Sequence, residues 1–330
     1  MRAYRVIGCA VALASASSAF AIDIVLVPSA SLSANPAALA AFNRAAAQWE
    51  SRLSDPITIT INADFAPIGF PTAQTSSAVI LRTYNNVRNL MVADALDEGN
   101  DDLIVASLPT YDTFTATLPA GSSLNGGATA TKANLKALGV AGLDTQFGVS
   151  DGTITFNSAV AFDYDNSNGV SAGLKDFESA AIHELGHALG FGSNVGAPPG
   201  DMLPRPLDLF RFQDGGPDVD PTTETFGTTP RALVTGGVPI FDDGTNEWAM
   251  SSVTDGWQAS HWKDDAITGT YLGIMDPTLP TGQMELITNA DLRAFDLIGY
   301  ELATVPEPAS LSALTLGAVG LRRRRSRRPS

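Results

Sequence analysis

The sequence HELGH at 183–187 constrains this chain more than any other segment, because it lies within a stretch that is expected to be helical. Residues four apart lie on one face of a helix, about one turn apart, so His183 and His187 can reach the same ion. Asp176 is a suitable N-cap for this helix, and Gly190 can end it. The fold must therefore place a helix over 176–191 beside a site that can hold a metal.

The residue types in this pattern point to zinc chemistry. Neutral imidazole nitrogen is a preferred zinc ligand, and a catalytic zinc keeps one position for water. Glu184 can take the proton of that water and deliver it to a leaving amine. The chain has three histidines in all, and two of them stand at ligand spacing. We therefore predict that His183 and His187 are metal ligands and that Glu184 is the general base.

The longer segment HELGHALGF at 183–191 resembles the metzincin zinc proteases, whose helix motif runs HExxHxxG. Gly190 matches the glycine at which that helix breaks and the chain turns. In the usual metzincin motif the third ligand follows three residues after this glycine. That position is Ser193 here, a poor zinc ligand, so the standard pattern fails and the third ligand must lie elsewhere.

Two residues are alternatives for the third ligand. Thermolysin-like proteases use a glutamate on a following helix, but residues 188–223 contain no glutamate. Asp208, within LDLF at 207–210, is the best carboxylate of that segment. The other alternative is His261, which is the one histidine outside the motif. We prefer His261 to Asp208 because imidazole is the better zinc ligand.

The order of the remaining elements resembles the leishmanolysin-like metzincins. These carry HExxHxxGF, a long insertion, a third histidine that is often followed by tryptophan, and a Met-turn soon after. Here HW at 261–262 is followed by GIMDP at 273–277. The resemblance implies that His261 is the third ligand and that Met275 lies in the Met-turn. The usual metzincin tyrosine lies two residues past the methionine, where this chain has Pro277, so we expect Tyr271 to be structural.

The apolar patterns of the chain predict an α+β fold. Helical spacing predicts a helix over 37–53, and alternation at 57–65 predicts a strand. A strand or strand pair is expected over 152–164 and a last helix over 289–298. The resemblance covers chiefly 177–298 and implies a metzincin-like metalloprotease domain at 22–304. We expect an upper mixed-sheet subdomain with the active-site helix at 22–192 and a loop-rich lower subdomain, with the long insert and the Met-turn, at 193–304.

Both ends of the chain have the composition of targeting segments. Residues 1–21 carry Arg2 and Arg5, a short apolar stretch and a small-x-small cleavage site, which is typical of a signal peptide. Residues 305–330 carry VPEP, an apolar run and an arginine cluster, which resembles the bacterial PEP-CTERM sorting signal. That resemblance implies export to the surface or exterior of a Gram-negative-type bacterium, transient inner-membrane association and removal by an exosortase. Cys9 lies in the signal, so residues 22–304 contain no cysteine.

The charge of the central region limits its partners. Eight of the 20 Lys+Arg and one of the 35 Asp+Glu lie in the two end segments, which leaves 12 basic and 34 acidic residues and a formal charge of −22. Such a charge repels nucleic acid and anionic membranes. Alternating oxygen donors at 163–169 resemble a calcium loop, but the full EF-hand pattern fails, so a polar turn is favoured over calcium there.

These features predict a secreted zinc endopeptidase that acts on proteins or peptides. One alternative is a non-catalytic matrix or surface protein that retains a zinc site. A closed structural zinc site would use four protein ligands, and residues 22–304 offer three histidines and no cysteine. Another alternative is a zinc hydrolase that acts on something other than peptides, which the Met-turn resemblance disfavours. Cleavage specificity does not follow from the sequence.

Overall fold

The computed structural model describes residues 22–97, 103–216, 219–220 and 225–303. The expected signal peptide at 1–21 and the expected sorting signal at 305–330 lie outside the described residues. Among the described helices, none is both long enough and apolar enough to cross a membrane.

The described part combines helices and sheets, which is compatible with the expected α+β class. The strands are β1 (Asp23–Pro28), β2 (Thr58–Ala66), β3 (Ala73–Ser77), β4 (Val79–Thr83), β5 (Ala116–Thr117), β6 (Ser123–Leu124), β7 (Gly127–Thr131), β8 (Gly152–Asn157), β9 (Phe162–Asp163), β10 (Lys175–Asp176), β11 (Asp201–Met202), β12 (Arg211–Gln213), β13 (Arg231–Ala232), β14 (Pro239–Asp242) and β15 (Glu247–Ala249). The α-helices are α1 (Ala30–Ser33), α2 (Pro36–Glu50), α3 (Tyr84–Asp97), α4 (Leu103–Ala106), α5 (Lys132–Ala137), α6 (Leu143–Phe147), α7 (Phe177–Leu189), α8 (Thr225–Thr228), α9 (Asp265–Thr268) and α10 (Asn289–Leu297). Two short 3₁₀ helices span Asn166–Asn168 and Pro206–Phe210.

The main sheet has four strands in the order β1-β2-β8-β3. Its first three strands are parallel, and β3 runs antiparallel to β8 at the edge of the sheet. In β2 the side chains of Ile59, Ile61 and Ala63 are buried, because alternate residues of a strand point to the same face. The alternation predicted from the sequence is thus confirmed, and the sheet is mixed.

Helices α2 and α7 pack against one another beside this sheet. Helix α2 begins at Pro36 because the side chain of Asn35 accepts a hydrogen bond from the Ala38 amide, and proline suits the first helical position. The buried Trp49 near its end donates its indole N–H to the Ile182 carbonyl at 3.0 Å. This contact fixes α2 against the middle of α7, one residue before His183.

The described residues 193–216, 219–220 and 225–303 form short elements joined by loops. The segment predicted to be a loop-dominated insert contains an antiparallel sheet in the order β12-β14-β15, which the sequence did not predict. After β15, Met250 forms an isolated antiparallel bridge with Trp262, and the Ser251 amide donates to the His261 carbonyl at 3.1 Å. The small sheet therefore holds the segment that carries His261.

Candidate metal centre

Three histidine side chains converge beside α7. The His187 Nε2 atom lies 3.1 Å from His183 Nε2 and 3.2 Å from His261 Nε2. These residues form a group whose ligand atoms all lie within 4.8 Å of one another. The structure thus brings together the three histidines that the sequence selected, over a separation of 74 residues between His187 and His261.

The hydrogen bonds of the three rings fix their tautomers. The Nδ1 atom of each ring faces a backbone carbonyl. His183 Nδ1 lies 2.8 Å from the Ile274 oxygen, and His187 Nδ1 lies 2.8 Å from the Phe191 oxygen. His261 Nδ1 lies 3.1 Å from the Gln258 oxygen. A carbonyl oxygen can only accept a hydrogen bond, so each Nδ1 carries the hydrogen. In the neutral ring each Nε2 then presents a lone pair to the other two rings.

Burial keeps these imidazoles neutral. It lowers the pKa of His183 to about 4 and that of His261 to about 3, and it lowers the pKa of His187 well below its ordinary value. Three lone pairs that face one another with no hydrogen between them repel, whereas a cation among them would be bound by all three. Deprotonated imidazole nitrogens with oriented Nδ1–H groups are the form in which histidine ligates metals. The cluster could therefore hold a metal ion.

The end of α7 explains how His187 is oriented. Gly190 adopts a φ of 137°, a region that glycine tolerates and other residues rarely adopt. The chain reverses there, and the Phe191 amide donates to the Gly186 carbonyl at 3.0 Å. This reversal brings the Phe191 carbonyl back to His187 Nδ1. Gly190, which the sequence indicated as the end of the helix, therefore also positions the Phe191 carbonyl that orients His187.

A tight turn around Met275 lies directly beneath the two helical histidines. The Asp276 amide donates to the Gly273 carbonyl at 3.0 Å, and the Ile274 carbonyl between them accepts from His183. Met275 is fully buried, and its sulfur touches α7 at Gly186, where a Cβ atom would overlap Sδ. Met275 therefore packs against α7 between the two helical histidines, in agreement with its predicted place in a turn.

Asp291 is a buried residue of this centre that the sequence did not reveal. Its carboxylate accepts hydrogen bonds from Trp262 Nε1 at 2.8 Å, from the Ile274 amide at 2.8 Å and from the Met275 amide at 3.3 Å. The same side chain caps α10 by accepting from the Thr288 amide at 2.8 Å. One carboxylate thus joins the segment after His261 to the turn below His183. An aspartate in the first turn of a helix signals only a cap, so no local pattern could show this role.

Glu184 lines the same cleft as the three histidines and is tied to the edge strand. The hydroxyl of Thr75 in β3 lies 2.6 Å from Glu184 Oε2 and 2.9 Å from the Glu184 carbonyl oxygen. Two residues along the strand, Ser77 donates to the His187 carbonyl at 3.2 Å. Burial raises the pKa of Glu184 to about 7, and the hydrogen bond from Thr75 opposes that shift. The polar run AQTSS gave no sign of these contacts, because it lacks the apolar alternation that marks a half-buried strand.

Ser193 and Asp208 lie together, outside the histidine cluster. Ser193 donates its hydroxyl hydrogen to Asp208 Oδ1 at 2.5 Å, and Asp208 Oδ2 accepts from the Arg205 amide at 2.9 Å. Asp208 is buried and caps the 3₁₀ helix that contains it. Its carboxylate is therefore occupied by local donors, and His261 is the residue that joins His183 and His187.

Two further candidates from the sequence are engaged elsewhere. The Tyr271 hydroxyl donates to the Leu286 carbonyl at 2.8 Å and accepts from the Leu286 amide at 3.1 Å, which is the structural role expected of it. In the oxygen-rich loop at 163–169, Asp163 accepts from the Asp165 and Ser171 amides at 3.0 and 2.8 Å. These contacts describe a polar turn, which the sequence favoured there over a calcium site.

The metal centre opens into a long cleft with a volume of about 1390 Å³. Its lining includes residues 70–77 with strand β3, residues 256–258, 260–261 and 276–280, the three histidines and Glu184. The edge strand β3 and the histidine cluster therefore border one and the same cleft.

Comparisons of the chain with protein-family models, with curated proteins and with solved structures gave no match. Any assignment of function to this chain therefore depends on its residues and their geometry.

Proposed function

We propose that the chain is a zinc-dependent endopeptidase with His183, His187 and His261 as zinc ligands and Glu184 as general base. The observation that carries this proposal is the convergence of three neutral Nε2 atoms in a cleft that the buried Glu184 also lines. The metzincin-like layout and the leishmanolysin-like order of motifs are part of the same proposal. They are supported by the mixed sheet with its antiparallel edge strand, by α7 and by the turn at Met275.

The donor set favours zinc among the metals. A tetrahedral ion with Zn–N distances of about 2.0–2.1 Å places its nitrogen ligands roughly 3.3–3.4 Å apart. The measured separations of 3.1 and 3.2 Å are close to that value. Three imidazoles leave a fourth position for water, as in catalytic zinc sites. When bound, zinc supplies the acidification of water and the polarisation of a carbonyl group.

The protein's own groups supply the positioning and the proton transfer. Glu184 holds a carboxyl group whose pKa of about 7 lies near the value at which general bases are most effective. Thr75 orients that carboxyl through Oε2 and thereby couples it to the edge strand. The backbone groups of β3 that face away from β8 can pair with an extended peptide, which would lay the peptide across the floor of the cleft.

The sorting proposals rest on the sequence. We propose that residues 1–21 direct export and that residues 305–330 act as a PEP-CTERM-like signal that an exosortase-type machinery removes. Export to the cell surface or exterior would suit a domain without cysteine and with a charge of −22, which disfavours nucleic acid as a partner. A mature surface form that still carries Arg322–Arg325 would contradict the proposed removal.

The peptidase proposal is tested by substituting Glu184 without changing the ligands. The Glu184→Gln variant should keep about one zinc per chain, by the ligand count, and should lose cleavage of casein and of a random peptide library. Glu247→Gln, an equal charge change at an exposed residue outside the cleft, should cleave like the parent protein. Equal cleavage by the Glu184→Gln variant would remove Glu184 from the mechanism. A wild-type protein that binds zinc and cleaves no peptide would favour the non-catalytic alternative.

A further inference from the structure

Glu285 is a buried residue that lines the cleft, and its backbone is bonded to the helix that carries His183 and His187. The Glu285 amide donates to the Ser179 hydroxyl at 2.8 Å. Ser179 lies four residues before His183 in α7, so the two share one face of the helix and are separated by about 6 Å along its axis. Glu285 lines the same cleft as the three histidines. A side chain of a bound peptide next to the metal centre would therefore reach Glu285.

The carboxylate of Glu285 differs from the other buried carboxylates around it. Only 8% of the residue is exposed, and within the described ranges no donor lies within hydrogen-bonding distance of its carboxylate oxygens. Asp276, which also lines the cleft, accepts from the Asp265 and Thr278 amides at 2.9 Å each. The carboxylate oxygens of Glu285 keep contact with the solvent of the cleft, and a ligand with N–H donors would replace that solvent.

The charges around Glu285 favour a cation in this place. Burial raises the pKa of Glu285 to about 9, and the nearby carboxylates of Asp276 and Asp265 add to the shift. Lys175 opposes it, but its ammonium donates to the Leu279 carbonyl and makes no ion pair with Glu285. With this pKa the free carboxyl of Glu285 keeps its proton near neutral pH, and a cationic side chain beside it would favour the charged carboxylate form.

We propose that Glu285 is a specificity-determining residue that selects a lysine or arginine side chain of the peptide substrate beside the scissile bond. The proposal rests on the proposed peptidase function and names its substrate class. A long cationic side chain spans one helical turn and brings the N–H donors that Glu285 lacks. The neighbouring carboxylates of Asp264, Asp265 and Asp276 are close enough together to suggest a metal ion as an alternative ligand. That alternative fits less well, because Asp264 and Asp276 already use both of their carboxylate oxygens as acceptors for local donors.

The experiment measures binding, so that it does not depend on cleavage. The zinc-loaded Glu184→Gln protein is incubated with a random peptide library, and the retained peptides are sequenced. Lysine or arginine should be enriched at one position. Adding Glu285→Gln should abolish the enrichment, whereas adding the matched exposed change Glu247→Gln should preserve it. For the best peptide, arginine is then replaced by citrulline, which has a similar shape without the charge. That replacement should weaken binding by at least about tenfold to the Glu184→Gln protein and by less than about twofold once Glu285→Gln is added.

The outcomes separate this inference from the proposed function. Enrichment of basic residues together with a wild-type protein that cleaves nothing would support the subsite and contradict the peptidase proposal. Cleavage by the wild type without a basic preference, or a preference that survives Glu285→Gln, would overturn the subsite and leave the peptidase proposal standing. Absence of any retained peptide would overturn the subsite, and cleavage by the wild type decides the peptidase proposal separately. Because Glu285 is anchored through its backbone amide, zinc content and circular dichroism of the Glu285→Gln protein should be unchanged, which excludes loss of the fold as the cause.

Discussion

Replacing Gly186 by alanine is a sharp test of how the floor of the metal centre is built. Gly186 lies between the two helical ligands, and a Cβ atom there would overlap Met275 Sδ and lie 3.3 Å from Met275 Cε and 3.5 Å from Trp49 Cζ2. Met275 and Trp49 are both fully buried, so neither side chain can move into open space. In an exposed helix the same change would stabilise by about 1 kcal/mol.

The expected effect is the balance of two terms. Forcing an extra methyl group into a packed core costs typically about 1–3 kcal/mol, against the gain in helix propensity of about 1 kcal/mol. We expect Gly186→Ala to lose about 0–2 kcal/mol of unfolding free energy. Met275→Ala alone should lose about 2–5 kcal/mol. The double variant should be more stable than the sum of the single changes implies by about 1–3 kcal/mol, because the new methyl group then fills space left by Met275.

Urea unfolding of the metal-free proteins, followed by circular dichroism, measures these values. Zinc affinity, measured by competition with a chromophoric chelator, should fall in Gly186→Ala because the methyl group displaces the backbone between His183 and His187. A Gly186→Ala protein that is more stable than the parent, or single changes that simply add, would refute the proposed contact between α7 and Met275.

Three other changes test separate parts of the structure. Asp291→Asn places an amide among N–H donors, so zinc affinity should fall by about 10–100-fold in the chelator assay. An unchanged zinc affinity would show that Asp291 does not support the site. Tyr271→Phe should lower the unfolding free energy in urea by about 1 kcal/mol, because its hydroxyl bonds to the Leu286 backbone. The change should leave kcat unchanged, and a large loss of kcat would give the Tyr271 hydroxyl a catalytic role. Burial raises the pKa of Asp55 to about 7 from 3.8, so the folded state binds this proton more tightly than the unfolded state. The free energy of unfolding should therefore fall as pH rises from about 4 to about 7. Asp55→Asn should flatten that slope in urea titrations at several pH values. An unchanged slope would contradict the raised pKa of Asp55.

Helix α7 could be predicted from the sequence because its determinants are local. Asp176 caps α7 by accepting from the Ser179 amide, and Gly190 ends it, as the sequence indicated. The four-residue spacing of His183 and His187 fixes both on one face without any knowledge of the remaining fold. His261 required the scarcity of histidine and a family-like order of motifs, since its contact with the helix spans 74 residues.

The residues that support the site could not be predicted, because distant contacts define them. Thr75 lies in a short polar strand without apolar alternation, and its role follows from the pairing of β3 with β8 at the edge of the sheet. Asp291 is read from the sequence as a helix cap, and its bonds to Trp262 and Met275 follow only from the packing of three segments. Glu285 has no motif, and its burial beside Ser179 becomes visible only in the folded chain.

X-ray absorption at the zinc edge of the purified protein, with metal analysis of matched variants, tests the three-histidine zinc centre most directly. We expect about one zinc per chain, with three imidazole ligands at about 2.0–2.1 Å. His261→Ala should lose zinc or one imidazole, and Asp208→Asn should keep all three. Full zinc occupancy with an unchanged ligand shell in His261→Ala, or loss of the metal in a folded Asp208→Asn protein, would contradict the three-histidine centre.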